Sequence, residues 1–291
     1  MKLVSVSMVR DEEYWIWYAL TSVYPHVDEI LVFDNHSRDR TIEIVRGMRH
    51  IADKLTLFEG FGSSNEHDNR EATLQEARRR GATHVLTLDG DEVHADPMLG
   101  FCRQLLILQE HQPALADPPR TPCVPTDSSP SDGGLIQNLA LRPIHPGFAG
   151  PGTCRPQDYL QPDTCHSAYN YLTRISSLHN LRGNGQIWGQ HGFLETDDLY
   201  VQASPRTLWL ANAWFLHFSH HPRSSRRKAG GTAWIRPIAD HGSVPIHAHV
   251  HWPAALLRSD GPGNPTLEAW GVSDPPPGRP RARLEEFLAP A

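Results

Sequence analysis

The first hundred residues alternate short apolar segments with longer segments in which apolar residues recur at helical spacing. The apolar segments predict strands at 3–8, 29–33, 54–58 and 84–88. The segments between and after them predict helices at 11–23, 40–50, 66–80 and 97–109. Strands that alternate with helices of this length predict an α/β fold built on a mostly parallel sheet.

The ends of the predicted helices carry matching local signals. The negative charges of the acidic residues at 11–13 would stabilise the positive N-terminal end of the first helix, and Pro25 ends that helix. Gly81 is a predicted C-terminal cap, and Pro97 lies in the first turn of the fourth helix.

The pattern changes after residue 112. A proline-rich stretch at 113–130 predicts an irregular loop or linker. Beyond it, apolar segments predict strands at 134–144, 169–177, 208–218 and 244–252, and a short helix is expected at 283–288.

The amino-acid composition and charge limit which kinds of protein this chain can be. The 291 residues are 39% hydrophobic and 21% charged, with a formal net charge of −6, which fits a globular domain and argues against a duplex nucleic-acid binder. No apolar run approaches the roughly 18 residues that cross a bilayer, and the apolar N-terminus has no cleavage site, so a cytoplasmic protein is expected. None of the four cysteines forms a Cys-x-x-Cys pair, which favours free thiols.

Acidic residues follow three of the predicted strands. Asp11, Asp34 and Asp89 each come at or just after a strand's carboxyl end, and such ends form the ligand-binding edge of open α/β sheets. The third belongs to Asp89-Gly90-Asp91, in which glycine permits a tight turn and the two carboxylates suit Mg²⁺ or Mn²⁺. An ordinary acidic turn is the alternative interpretation.

Three segments together resemble a known family. They are Val-Ser-Val-Ser-Met-Val-Arg-Asp-Glu-Glu at 4–13, Ile-Leu-Val-Phe-Asp-Asn-His-Ser-Arg-Asp-Arg-Thr at 30–41 and Leu-Asp-Gly-Asp-Glu at 88–92. In order and spacing they resemble the family 2 glycosyltransferases, in the branch whose metal motif reads Asp-x-Asp-Glu. The resemblance covers about the first 110 residues. It implies a GT-A-like, Rossmann-type mixed and mostly parallel sheet flanked by helices.

The resemblance implies roles at the first two strand ends. Asp11 or Glu12 would contact the nucleoside, and Asp34 would accept a hydrogen bond from the base, typically uracil. Ser37 and Asp39 belong to the same binding loop. An equally weighted interpretation of Asp39 is a cap at the start of the second helix.

The resemblance also implies a diphosphate and metal site. Arg70 would lie near the diphosphate, Asp89 and Gly90 would approach the ribose or sugar, and Asp91 would bind the metal directly, with Asp89 as a further candidate ligand. Many members bring a late histidine to the metal, for which His217 is the first candidate and His220 the second.

The second half must supply a catalytic base if the enzyme inverts the sugar. Glu195, Asp197 and Asp198 form its densest acidic group, and Glu195 is slightly preferred. A solvated acidic turn explains the same residues equally well.

Two rival functions belong to other classes. His247, His249 and His251 would point to one face of a strand and could hold zinc in a hydrolase. A non-catalytic nucleotide-sugar-binding module would keep the fold without the chemistry. A sugar-nucleotide pyrophosphorylase is disfavoured because no glycine-rich loop follows the first strand.

The combined expectation is a metal-dependent inverting glycosyltransferase that uses Mn²⁺ or Mg²⁺. It would move a sugar from a nucleotide donor, a UDP-sugar, to a hydroxyl or amine of a small-molecule or glycan acceptor in polysaccharide or natural-product biosynthesis. No nucleic-acid partner or membrane span is expected, and the Arg-, Pro- and Ala-rich composition resembles high-GC bacterial proteins. The expected organisation is a nucleotide-sugar-binding half, a Pro-rich insertion, an acceptor and catalytic half and a C-terminal arm, at 1–112, 113–165, 166–255 and 256–291.

Overall fold

The computed structural model of the chain describes most of the first 111 residues and selected segments of the rest. The described residues are 1–62, 66–111, 138–146, 153–154, 170–174, 207–219, 221–222, 224, 244–245, 253–258 and 260–270.

The described strands and helices follow in chain order. The strands are β1 Leu3–Val9, β2 Glu29–Asp34, β3 Leu55–Phe58, β4 His84–Thr87, β5 Glu92–His94, β6 Asn138–Ile144, β7 Thr153–Cys154, β8 Asn170–Arg174, β9 Thr207–His217 and β10 Val244–Pro245. The α-helices are α1 Ile16–Val23, α2 Thr41–Gly47, α3 Glu66–Arg79, α4 Asp96–His111 and α5 Pro265–Ala269, and 3₁₀ turns span Arg49–Ile51 and Ala254–Leu257.

Eight strands form one mixed sheet in the order β3-β2-β1-β4-β8-β6-β9-β5. The first four are mutually parallel, as the alternating pattern predicts. Strand β8 runs antiparallel to both β4 and β6, β9 runs parallel to β6, and β5 runs antiparallel to β9. The α/β class with a mixed sheet is therefore confirmed. Strands β7 and β10 form a separate antiparallel pair.

The first helix begins later than its sequence pattern predicts. Helix α1 starts at Ile16, so the predicted start at Asp11 is wrong. The reason is that Asp11 has a φ of 56°, which a right-handed helix does not accept. The acidic residues of this segment lie in the preceding loop and not in the first helical turn.

Helix α1 is buried on all sides. Trp17 and Tyr18 are fully buried, because the C-terminal segment 253–270 covers the part of the helix that the sheet leaves uncovered. The Tyr18 hydroxyl donates a hydrogen bond of 2.6 Å to the carbonyl of Pro262, and Gly261 lies against the Trp17 ring. A helix that is buried on all sides is part of a protein core, and all eight residues of α1 are buried.

No helix in the described part of the chain combines the length and apolar character needed to cross a bilayer.

Asn264 fastens the C-terminal segment to the core, and its loss should destabilise the fold. Its Oδ1 accepts from the backbone N–H of Thr266 and Leu267, while Nδ2 donates to the carbonyl of Tyr14 at 2.7 Å. Replacement Asn264→Ala removes a cap and the hydrogen bond to the part-buried Tyr14 carbonyl, so we expect about 2–3 kcal/mol lower free energy of unfolding in urea titrations. Asn264→Ser keeps a capping oxygen and should lose less.

The exposed residue Glu268 provides the control on the same helix. Glu268→Ala should change the free energy of unfolding by less than about 0.5 kcal/mol. Equal stability of the Asn264→Ala and Glu268→Ala variants would contradict the anchoring role of Asn264.

Candidate functional site

Three acidic loops leave the same edge of the sheet. Strands β1, β2 and β4 are parallel neighbours, with Val9 opposite Asp34 and Val6 opposite Thr87. The loops that follow them therefore start side by side, as expected for the ligand-binding edge of an α/β sheet. These loops carry Asp11, Asp34 and Asp89.

The loops after β1 and β2 are tied together by reciprocal hydrogen bonds. The backbone N–H of Asp11 donates to the Ser37 hydroxyl at 2.9 Å, and the backbone N–H of Arg38 donates to Oδ1 of Asp11 at 2.6 Å. The positive φ of Asp11 turns its amide and carboxylate toward the second loop. The Asp11 and Ser37 side chains thus fix the relative position of the two loops.

Asp39 extends this connection. Its Oδ2 accepts from the backbone N–H of Glu13 at 3.0 Å, and its Oδ1 accepts from the backbone N–H of Thr41 at 2.9 Å. The Thr41 hydroxyl in turn accepts from the backbone N–H of Glu12 at 2.7 Å. Burial raises the pKa of the Asp39 carboxyl, against the effect of these bonds. The structure places Asp39 where it supports the start of α2, although Arg40 is the residue that precedes the helix.

Asp34 is held at the end of β2 with only 1% of its surface exposed. Its two carboxylate oxygens lie 3.3 and 3.1 Å from the backbone N–H of Ser37, and its carbonyl accepts from the backbone N–H of Phe61 at 2.8 Å. Asp34 therefore joins the loops after β2 and β3 at this edge.

The Asp89-Gly90-Asp91 turn leads directly into β5, a strand that the sequence analysis missed. Glu92 closes the turn, because its Oε2 accepts from the backbone N–H of Asp89 at 2.8 Å. Asp89 is exposed, whereas Asp91 has no exposed surface and Glu92 is 3% exposed. The turn thus presents one carboxylate to solvent and directs two inward.

Gly90 is required by close packing. A Cβ atom at this position would lie 2.7 Å from Cγ and 3.0 Å from Cβ of Glu12, closer than real carbon contacts. Glu12 is itself buried in the loop after β1. The loops after β1 and β4 are therefore in direct contact through the pair Gly90 and Glu12.

Negative charge is concentrated around Glu92. Burial raises its pKa well above the ordinary value, and the charges of Asp89 and Asp91 raise it further. The positive charge of Arg70 acts in the opposite direction. Arg70 on α3 therefore lies within electrostatic reach of the acidic turn.

Asp91 and His217 come together although they are far apart in sequence. Strand β5 pairs with the end of β9, so that Glu92 lies opposite His217, and the backbone N–H of Phe218 donates to the Asp91 carbonyl at 3.0 Å. The distance from His217 Nε2 to Asp91 Oδ2 is 3.4 Å. Both candidate metal ligands thus lie side by side.

The described residues bring together only two of the side chains predicted to bind a metal. Within the described ranges, no group of three or more His, Cys, Asp or Glu side chains is arranged to hold a metal ion. Asp91 and His217 would offer one oxygen and one nitrogen to an ion whose remaining ligands are phosphate oxygens and water.

His145 is a neighbour that the sequence analysis missed. It follows β6, which runs parallel to β9 with Ile144 opposite Leu216, and its ring centroid is 5.0 Å from that of His217. The same rule that selected acidic residues at strand ends would have found it, since its strand was predicted to end at residue 144.

The segment after β9 is anchored to the loop after β1. The Phe218 and Trp15 rings stack at 3.8 Å, and the Trp15 indole N–H donates to the carbonyl of Pro222 at 2.9 Å. The Ser224 hydroxyl donates to Glu13 at 2.6 Å. These contacts hold the strand end that carries His217 next to the acidic loops.

Several candidate residues lie outside the described residues. They are the candidate bases Glu195, Asp197 and Asp198, the second candidate metal ligand His220, and the proposed zinc ligands His247, His249 and His251. Their roles stay predictions.

Replacing Gly90 should disturb the contact between the loops after β1 and β4. The Cβ of Gly90→Ala would overlap the Glu12 side chain, so we expect about 1–3 kcal/mol lower free energy of unfolding in urea titrations. Glu12→Ala removes the Cγ atom, so the same change should cost less in a Glu12→Ala background. If the changes in the free energy of unfolding were strictly additive, residue 90 and the Glu12 side chain would not be in steric contact.

Acid should destabilise the fold through His221. Burial lowers the pKa of His221 to about 4, with its bond to the Pro146 carbonyl opposing and the His145 charge reinforcing the shift. The unfolded imidazole takes up its proton near 6.5, so the free energy of unfolding should fall by about 3 kcal/mol as the pH decreases from 6.5 to 4.

Urea titrations across that pH range test this dependence. His221→Asn has no titrating group, so its stability should vary less with pH than that of the parent protein, and the difference isolates His221 from other groups. Parallel pH profiles for the two proteins would refute the assignment.

Comparison with models of protein families gives no match, and comparison with curated proteins gives no relative. Among solved structures, residues 1–349 of S. aureus TarS match with 17% identity and a TM-score of 0.47, covering 75% of this chain and 61% of that one. The same protein in complex with UDP matches with 17% identity and a TM-score of 0.44, covering 75% and 60%. The chain thus spans about three fifths of these structures. Glucosyl-3-phosphoglycerate synthase from Mycobacterium tuberculosis, in complex with phosphoglyceric acid, matches with 17% identity and a TM-score of 0.39, covering 74% and 71%.

Proposed function

We propose that this chain is a metal-dependent inverting glycosyltransferase that moves a sugar from a UDP-sugar to a hydroxyl or amine acceptor. One observation carries the proposal: the buried Asp91 carboxylate lies 3.4 Å from His217 Nε2, at the edge where the loops after β1, β2 and β4 meet. A strand pairing that joins distant parts of the chain creates this pair.

The pair fits the chemistry of Mn²⁺ or Mg²⁺. A carboxylate oxygen and an imidazole nitrogen both bind Mn²⁺, and one or two protein ligands are usual when phosphate oxygens complete the set. A divalent ion held by Asp91 and His217 would neutralise the diphosphate and stabilise it as a leaving group. Arg70, which acts electrostatically on the same turn, would add positive charge next to the diphosphate.

The remaining loops would hold the nucleoside. Asp34 offers a fixed acceptor for the imide N–H of uracil, and Asp89 is the exposed carboxylate of the turn, available to the hydroxyls of ribose or sugar. Asp11 and Ser37 keep the first two loops together, and Glu12 supports Gly90. Hydrogen bonds between protein groups hold these loops in place, so binding would require little reordering of the backbone.

Inversion requires one carboxylate that removes the proton of the acceptor as it attacks the anomeric carbon. We assign this step to the acidic group of Glu195, Asp197 and Asp198, with Glu195 preferred. A missing base would lower turnover by about 10²–10⁴-fold while leaving donor binding intact. The acceptor would be a small molecule or a glycan.

Removing either member of the metal pair should abolish metal-dependent activity. For Asp91→Asn and His217→Ala we expect at least about 100-fold slower Mn²⁺-dependent hydrolysis of a UDP-sugar, since each loses a direct ligand. Electron paramagnetic resonance should show less Mn²⁺ bound in the presence of UDP. The variants should fold, which circular dichroism would verify.

Asp53→Asn is the matched control, because it makes the same chemical change at an exposed residue. Asp53 precedes β3 and therefore lies at the amino ends of the parallel strands, opposite the candidate site. It should leave activity and Mn²⁺ binding unchanged. Retention of full Mn²⁺ binding by Asp91→Asn would refute the metal site. If the parent protein binds UDP and Mn²⁺ but turns over no donor in a panel of UDP-sugars, a non-catalytic binding module is indicated instead.

A further inference from the structure

His36 has a backbone conformation that its residue type disfavours. Its φ is 58°, and within the described ranges it shares a positive φ among non-glycine residues only with Asp11. A side chain with a Cβ atom is strained in this region, and such strain concentrates at functional sites. Both residues lie in the loops at the carboxyl edge of the sheet, next to the proposed nucleotide site.

The strained backbone places the His36 side chain between two loops. His36 belongs to the loop after β2, two residues beyond Asp34, and its Nε2 lies 3.3 Å from the carbonyl of Gly62 in the loop after β3. Because a carbonyl only accepts, Nε2 carries the proton in this bond. The ring also lies near Gly60, where an added Cβ atom would be 3.9 Å from ring atoms Cε1 and Nδ1.

The imidazole is therefore oriented and yet accessible. One ring nitrogen is bonded to the neighbouring loop, while the residue as a whole stays exposed. The loop after β3 is also tied to Asp34, whose carbonyl accepts from the backbone N–H of Phe61. The His36 ring thus contacts a loop that is itself bonded to the main chain of Asp34, the residue proposed to accept from the base.

We infer that the His36 imidazole forms the stacking surface for the nucleobase of the donor. The inference rests on the proposed function, and it assigns base binding to two separate groups. Asp34 accepts a hydrogen bond from the base edge, and His36 contacts the base face. A planar ring suits every base, so His36 contributes affinity and Asp34 contributes the choice of base.

Two variants remove the ring without straining the backbone. Glycine and asparagine both tolerate a φ near 58°, so His36→Gly and His36→Asn should keep the melting temperature within about 3 °C of the parent value or raise it. The asparagine amide is shorter than the imidazole, so neither variant keeps the hydrogen bond from Nε2 to the Gly62 carbonyl. The comparison of UDP with pyrophosphate therefore separates a lost contact with the base from a general change in the loops.

Calorimetric titration with UDP and with CDP in Mn²⁺ tests the inference. Stacking on an aromatic ring predicts that both variants bind UDP about 5- to 100-fold more weakly, with a similar loss for CDP. Pyrophosphate, which has no base, should bind all proteins equally. His50→Asn is the matched control, because His50 follows α2 near the opposite edge of the sheet and is bonded to Thr21 there. It should bind UDP like the parent.

The outcomes separate the two proposals. If the parent protein fails to bind UDP, the proposed function and this inference both fail. If the parent binds UDP and His36→Asn binds it equally well, the ring has no role and this inference alone is overturned. A loss that is equal for pyrophosphate and UDP would also overturn it, because the effect would then lie at the phosphates.

Discussion

The short antiparallel ladder between β5 and β9 is the interaction on which the candidate site depends. Without it, Asp91 would lie in the loop after β4, and His217 would lie on β9, which is separated from β4 in the sheet by β8 and β6. The ladder consists of three residue pairs, and one end of it is the pair of Glu92 and His217. It holds His217 Nε2 3.4 Å from Oδ2 of Asp91, the residue before Glu92. The parallel half of the sheet supplies the loops, and this ladder positions His217, the proposed second metal ligand.

The acidic residues at the sheet edge divide into two groups by what they contact. Asp11 and Asp39 are engaged in hydrogen bonds to backbone N–H groups of neighbouring loops, so their charge is largely used within the protein. Asp89 is exposed, and Asp91 faces His217. The division would suit the proposed binding of a charged donor, because such a site needs one set of polar groups to hold the loops and another to contact the bound molecule.

The sequence predicted the local features of the fold well. The first four strands, the helices between them and the capping Gly81 follow from periodicity and residue type, and so does the common edge of the three acidic loops. Strand β5 was missed because three residues after a turn carry no periodic signal, and its existence depends on pairing with β9. The late start of α1 was missed because the bonds to the second loop, which local propensity does not contain, compete with the helix.

The contacts of Trp15 connect the candidate site to the hydrophobic core. Trp15 precedes α1, the most buried helix of the described core, and follows the acidic loop after β1. Its ring stacks on Phe218, next to the proposed metal ligand His217, and its indole N–H holds Pro222. A shift of the segment after β9 would therefore have to displace a fully buried aromatic side chain, which dense packing resists. The position of His217, the proposed second metal ligand, is thus set by the core, although the other candidate site residues lie mostly in loops.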